Sequence, residues 1–418
     1  MIDPAHGVDR QADLYVADGR IVALGQAPSD FREELEIDAS GKLVCPGLVD
    51  LCARLREPGA EHKADIASET RAAVSAGITT LCMPPDTDPA IDEPAVVELI
   101  RTRNAAAGSL CRIVTVGALT RGLEGTLLSE MATLREAGCV AVGNALRPIE
   151  NTLVLRRALE YAATYDLTVF MTPRDPWLYQ GGCVHEGAVA TRLGLPGIPA
   201  AAETAALARD LALVEEVGVR AHFGRISTAR GVELLRGAVA SGLQVTADTA
   251  AHQLHLCEEA VAGFDSDCRV DPPLRTAADR AALCSAVREG TLSALCSDHQ
   301  PHDADAKEQP FCATEPGISG LETLLPLTLA LARRGELSLM VAIERLTAGP
   351  ARVLGLDLGH LGIGAAADLC VVDVDSSYRL DGERMLSRGR NSPFKGATLQ
   401  GRVEWTLLEG RVVHAPKP

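Results

Sequence analysis

Eight short apolar runs recur through the middle of this chain, most of them followed by an amphipathic stretch. That alternation constrains the fold more than any other feature. The runs are Leu48–Leu51, Thr79–Met83, Arg112–Val116, Cys139–Val142, Leu167–Met171, Arg220–Phe223, Leu243–Ala247 and Leu292–Cys296. Apolar residues at helical spacing predict helices around Ala64–Ser75, Glu93–Arg103, Leu127–Glu136, Thr152–Tyr161, Ala201–Glu216 and Ala229–Val239. Ser227 or Thr228 is available to cap the last of these. Strands this uniformly apolar need cover on both faces, and parallel strands obtain it from crossover helices. The expected fold class is therefore α/β, a (β/α)8 barrel of the TIM type. A doubly wound open sheet is the alternative, but no Gly-x-Gly-x-x-Gly follows the first run.

The two ends read differently. Asp13–Ala17 and Arg20–Leu24 are short strands joined by Asp18-Gly19, a hairpin signal. Asp368–Val374, Arg402–Leu408 and Arg411–His414 repeat that style. Residues 1–44 and 356–418 are expected to form one small β-sandwich domain, flanking a barrel at 45–355. Gly355, Gly359, Gly362 and Gly364 suggest a hinge between the two.

Acidic residues outnumber basic ones by 56 to 40, giving a net charge of −16. Nucleic acid and anionic membranes both require a cationic footprint, so neither is expected as a partner. No apolar run approaches the roughly 20 residues that span a bilayer, and the start carries no signal peptide. A soluble, cytoplasmic protein is expected. None of the twelve cysteines forms a Cys-x-x-Cys pair. Cys45, Cys82, Cys111, Cys139, Cys296 and Cys370 fall in or beside apolar runs and read as buried thiols, with no disulfide framework.

Catalytic groups in such barrels sit where strands end. The first strand runs into Pro46-Gly47-Leu48-Val49-Asp50-Leu51-Cys52-Ala53-Arg54-Leu55-Arg56-Glu57-Pro58-Gly59. Pro85-Asp86-Thr87-Asp88-Pro89, Ile226-Ser227-Thr228-Ala229 and Asp271-Pro272-Pro273-Leu274-Arg275 follow in order. Asp298-His299-Gln300-Pro301-His302, Gly320-Leu321-Glu322-Thr323 and Asn391-Ser392-Pro393-Phe394-Lys395-Gly396 complete the set. Taken together these resemble, nearly end to end, the dihydroorotases of the amidohydrolase superfamily. One difference lies at the start: the family opens with a strand ahead of the segment that here begins Met1-Ile2-Asp3-Pro4.

The resemblance implies one or two zinc ions, held by histidines from strands 1, 5 and 6 and aspartates from strands 4 and 8. Here the His-x-His positions of strand 1 are Cys52 and Arg54, and the strand 4 acidic pair is Asn144-Ala145. Thr172 and Arg225 stand for the histidines of strands 5 and 6, which leaves Asp298, the family's base position, as the one ligand retained. Zinc needs at least three protein ligands of N, S or O type, and a guanidinium cannot serve. Two guanidiniums would also repel a dication. A carbamylated lysine cannot substitute, since no Lys lies between Lys63 and Lys307. The expectation is that zinc is lost and no cofactor replaces it.

By the same resemblance Arg56 and His302 would hold the substrate carboxylate, and Asp86 replaces an Asn that does so. These are read as vestigial. Arg56 and Glu57 could equally form an ion pair, and Arg54 and Arg225 are expected to compensate Asp298. His299 and His302 flank Asp298 and form the one cluster with mild metal potential, whereas His252 and His255 read as loop or core. His62, His185, His222, His360 and His414 are scattered and require no function.

Family members without the zinc histidines resemble the inactive subunit that accompanies aspartate transcarbamoylase in some bacteria. The implied function is a homo-oligomeric pseudoenzyme of pyrimidine biosynthesis that assembles with the transcarbamoylase catalytic subunit. Two alternatives stand beside it. One is an active dihydroorotase or other cyclic amidohydrolase with a rebuilt zinc site of Asp298, His302 and Cys52. The other is a regulatory subunit sensing carbamoyl aspartate or dihydroorotate through Arg56.

Overall fold

The structure, a computed structural model, describes residues 1–416. Lys417 and Pro418, the end of the expected small domain, lie outside the described residues. Eight parallel strands follow one another around a barrel: β1 (Leu48–Asp50), β2 (Ile78–Met83), β3 (Arg112–Ala118), β4 (Ala141–Gly143), β5 (Thr168–Met171), β6 (Ala221–Phe223), β7 (Val245–Ala250) and β8 (Ala294–Cys296). Each pairs with the next in sequence. The ring closes just beyond the ends of β8 and β1, at the mouth. There Arg54 donates its backbone N–H to His299 O at 3.0 Å, and His299 donates to Cys52 O at 3.1 Å.

Helices cover the outside: α1 (Ile66–Ser75), α2 (Pro94–Ala106), α3 (Met131–Ala137), α4 (Thr152–Thr164), α5 (Ala201–Val217), α6 (Ala229–Ala240), α7 (Ala277–Glu289) and α8 (Leu321–Arg333). Four of them start at side-chain caps on otherwise orphaned N–H groups. Asp65 and Thr276 form capping boxes, Asn151 caps α4, and Thr228 rather than Ser227 caps α6. In α4 the buried set Leu155, Ala158, Leu159 and Ala162 follows the helical repeat and meets the barrel wall. Each buried leucine of this kind contributes about 1.5–3 kcal/mol. The helix expected from Leu127 begins only at Met131. Leu127 and Leu128 instead turn back along the chain, with Arg121 donating to Leu127 O at 2.9 Å and Thr120 bridging Leu128.

Both termini build a second layer. Leu43–Pro46, Leu369–Arg379, Thr398–Leu408 and Arg411–His414 form a four-stranded antiparallel sheet. The hairpin Leu14–Ala17/Arg20–Leu24, turning at left-handed Asp18 and Gly19, packs Ile21 against Leu369, Val371 and Leu407 of that sheet. The segment after Gly355 is not a free hinge: Leu361 is buried and its N–H donates to the Asp3 carboxylate at 2.9 Å.

One cysteine expectation is corrected. Cys183 and Cys312 are bonded, with Cα atoms 5.4 Å apart at a sequence separation of 129. Both loops fold over the same mouth, which brings together cysteines whose spacing carried no signal. The other ten are thiols, among them the six expected to be buried.

Candidate functional site at the barrel mouth

Asp298 lies two residues past β8 and is 2% exposed. Arg225, two residues past β6, donates from Nη1 to Asp298 Oδ1 at 3.2 Å and from Nη2 to the Thr172 hydroxyl beyond β5. Arg54, beyond β1, reaches the same carboxylate oxygen at 3.5 Å, while its Nε donates to Asp86 Oδ2 at 2.8 Å. The Cys52 thiol lies 3.6 Å from Asp298 Oδ1, and Gln300 Nε2 is 3.4 Å from both oxygens. Cys52, Arg54 and Arg225, with Thr172 behind Arg225, come from three separate stretches of sequence and thus gather at one carboxylate.

The electrostatics follow from that crowding. Burial opposes ionisation of Asp86, but Arg54 outweighs it and holds the carboxyl below its ordinary range. Burial likewise opposes the charge on Arg54, and Asp86 together with Asp298 and the other surrounding groups restores it and raises its pKa. Burial pushes the Cys52 thiol up to about 12, against the pull of Arg225 and Arg54, so it stays protonated at neutral pH. One guanidinium nitrogen of Arg54, Nη2, is buried with no partner.

Arg56 does not pair with Glu57. Its Nε donates to Pro301 O at 3.0 Å and its Nη2 lies 3.3 Å from His302 Nε2. Glu57 instead accepts the N–H of Ile66 at 3.0 Å, at the start of α1, and lies 3.4 Å from Arg103. Burial, then the neighbouring Arg54, lowers the Arg56 pKa to about 10. Burial and Arg56 push His302 down to about 2, leaving a neutral ring beside Lys63 at 3.3 Å.

His299 and His302 do not form a cluster with Asp298. The left-handed backbone at Asp298 separates the directions of the side chains on either side of it, and His299 turns outward to Glu69 of α1 at 2.8 Å. Its Nδ1 accepts the Gly320 N–H at 3.1 Å, which places the ring proton on Nε2. His255 donates to Leu327 O at 2.9 Å, and His252 is buried with its pKa lowered to about 4 by that burial. Asn144 is spent on its own loop, accepting from Thr120 at 2.9 Å and donating to Arg147 O at 2.9 Å.

Several supporting residues carried no sequence signal. Asp248 on β7 accepts the Arg225 backbone N–H at 2.7 Å and pairs with His222 at 2.9 Å, so His222 does have a structural task. Glu203, buried on α5, accepts both the N–H and the hydroxyl of Ser227 and of Thr228, fixing the turn that presents Arg225. Asn391 donates to Gln300 O and Gly317 O and accepts the His302 N–H, all within 2.9 Å. That accounts for the motif around it, which bolts the terminal domain to the loop after β8. Arg174 and Asp271 pair at 2.6 Å between the loops after β5 and β7.

Arg56, Arg225 and Asp298 all adopt left-handed backbone, with φ of 63°, 61° and 45°. Such conformations cost non-glycine residues about 1–3 kcal/mol and concentrate at functional sites.

The sequence profile of the dihydro-orotase-like family matches residues 41–230, and that of the amidohydrolase family matches residues 186–413. A dihydroorotase-like protein of Pseudomonas aeruginosa is 52% identical over 99% of this chain and 97% of its own length. A dihydroorotase of Anaeromyxobacter dehalogenans is 44% identical over 99% of this chain and 96% of its own. Among solved structures, the L-hydantoinase of Arthrobacter aurescens superimposes with a TM-score of 0.85, at 24% identity, over 97% of this chain and 93% of that one. That likeness extends to the whole barrel with its terminal sheet. By profile and by relatives spanning its length, the chain belongs to the dihydroorotase-like family of amidohydrolases.

Proposed function

We propose that this chain is a pseudoenzyme of its family: a cytoplasmic, homo-oligomeric subunit of pyrimidine biosynthesis that assembles with the aspartate transcarbamoylase catalytic subunit. One observation carries the loss of catalysis, the pair of guanidiniums from Arg225 and Arg54 on the Asp298 carboxylate. The family implies zinc at this point, and the donors present do not fit it. A protonated thiol, a hydroxyl already accepting from Arg225 and one carboxylate already shared by two cations make no zinc set. Metal entry would have to expel both guanidiniums from a buried carboxylate.

The substrate cradle is occupied in the same way. Arg56 is spent on Pro301 O and His302, and Asp86 on Arg54. What remains intact is the scaffold, with its barrel closed and its terminal domain bolted on. A fold kept in this condition after its chemistry is gone suits an assembly role. Among the described residues no helix is long and apolar enough to cross a membrane, and the net charge of −16 disfavours nucleic acid.

Co-expression with the transcarbamoylase catalytic chain of the same organism tests the proposal. A complex that survives gel filtration, with no interconversion of dihydroorotate and carbamoyl aspartate by this chain even with added zinc, is the expected result. Chelator-sensitive turnover with stoichiometric bound metal would overturn it and revive the rebuilt site of Asp298, His302 and Cys52.

A further inference from the structure

A second feature stands apart from the mouth, on the outer wall of the barrel between α7 and the end of α8. Arg280, Cys284 and Arg288 are spaced four residues apart along α7 and so share one face. Opposite them stand His255 and Arg334, over a floor that includes buried Leu254. Together they enclose a cleft of about 390 Å³. Small-molecule sites commonly hold about 300–1,000 Å³.

The charge in this cleft is unbalanced. Arg280, Arg288 and Arg334 contribute three cations, and Glu336 is the one carboxylate in the lining. Glu336 is engaged by Arg334 Nε at 2.6 Å. Among the described residues no carboxylate lies within 4.0 Å of Arg280 or Arg288. Arg280 donates only to the His255 carbonyl, at 3.3 Å, and Arg288 only to the Ser285 hydroxyl, at 3.2 Å. Glu259 attracts Arg280 and Glu289 attracts Arg288, but neither carboxylate lines the cleft.

His255 adds no charge. Its Nε2 donates to Leu327 O, so Nδ1 faces the Arg334 guanidinium as an acceptor at 3.4 Å. Burial, then Arg334, lowers its pKa to about 4. The lining therefore carries a formal excess of two positive charges in a chain of net charge −16. Cys284 is no nucleophile, since burial raises its thiol to about 12. The site is built for binding, not for covalent chemistry.

We propose that this cleft binds a nucleoside monophosphate, with the phosphate dianion held by Arg280, Arg288 and Arg334 and the nucleoside against Leu254, Ala281 and Cys284. The excess of two charges matches a phosphate dianion rather than a single carboxylate. Guanidinium forks match phosphate oxygens bidentately. The apolar floor gives the organic part a place that inorganic phosphate would leave empty. This site is independent of the chemistry lost at the mouth.

Isothermal titration calorimetry on the full chain tests it, using adenosine and uridine 5′-monophosphates, uridine, inorganic phosphate and a decameric glutamate peptide. The nucleotides are expected to bind at least about tenfold more tightly than uridine or inorganic phosphate, with affinity falling as salt rises. The double variant Arg280→Ser/Arg334→Ser should lose about tenfold or more, with its thermal unfolding recorded to show that it is folded. Glu336→Gln should act in the opposite sense and tighten binding, because it removes the competing carboxylate. Absence of nucleotide binding, or affinity unchanged in the double variant, would overturn the site. Equal affinity for inorganic phosphate, or tighter binding of the glutamate peptide, would overturn the nucleotide as its ligand.

Discussion

Arg225 and Asp298 face each other across the barrel mouth at 3.2 Å, each held in left-handed backbone and each nearly excluded from solvent. Removing one partner of such a pair leaves an uncompensated buried charge. Arg225→Ala should therefore destabilise the protein by roughly 3–5 kcal/mol in urea unfolding. Arg54 reaches Asp298 at 3.5 Å and moderates the loss. Adding Asp298→Ala should recover part of it, because the orphaned carboxylate goes too. A double variant less stable than Arg225→Ala would show that Asp298 is held by groups other than the guanidiniums.

The double variant Cys52→His/Arg54→His should remain inactive and bind no stoichiometric zinc. It returns two imidazoles to β1 but leaves the Arg225 guanidinium on Asp298 and a hydroxyl at Thr172. Metal sites form as a unit, and a partial set binds weakly. The change also strips Asp86 of its 2.8 Å contact with Arg54, so a loss of stability should accompany the missing activity. Elemental analysis and a dihydroorotate assay on the same preparation check both parts.

The barrel was legible because each strand is a short apolar run and each crossover helix an amphipathic one, patterns set by burial on both faces. The convergence of Cys52, Arg54, Thr172 and Arg225 followed from their positions at strand ends, which all face one opening. What the pattern could not carry was side-chain direction. Whether Arg56 turns to Glu57 or to Pro301, and whether His299 turns inward or to Glu69, depends on left-handed backbone and on the fold of the loop after β8. Glu203 was invisible for a related reason. Its partners Ser227 and Thr228 lie 24 and 25 residues away and on another element.

Glu203 offers a test of that hidden support. Its two oxygens accept four hydrogen bonds from the turn that presents Arg225. Glu203→Gln keeps the shape but replaces one acceptor by a donor, stranding an N–H and a hydroxyl. A loss of roughly 2–4 kcal/mol in urea unfolding is expected. Hydrogen exchange should quicken at residues 225–228 before it does elsewhere. Exchange that quickens evenly over the whole barrel would show that Glu203 does not act on that turn.

The last prediction concerns acid. His302 is held down to about 2, and His252 and His255 to about 4, in each case first by burial. Unfolded histidine titrates at about 6.5. Below that value the unfolded chain takes up protons that the folded chain refuses, so acid favours unfolding, by about 2 kcal/mol per histidine between pH 7 and pH 5. Acids raised by burial oppose this, Asp50 and Asp210 with the largest shifts. Burial raises Asp50 and Asp210 to about 6, so the folded chain binds their protons first and gains about 1 kcal/mol from each over the same window. The three histidines win, and a net loss of roughly 3–4 kcal/mol is expected on going from pH 7 to pH 5. His302→Gln isolates one contribution. Its stability relative to the parent chain should rise by about 2 kcal/mol between those two pH values. Parallel urea titrations of the two proteins measure that difference directly, and a constant offset at every pH would mean that His302 takes up its proton alike in the folded and the unfolded chain.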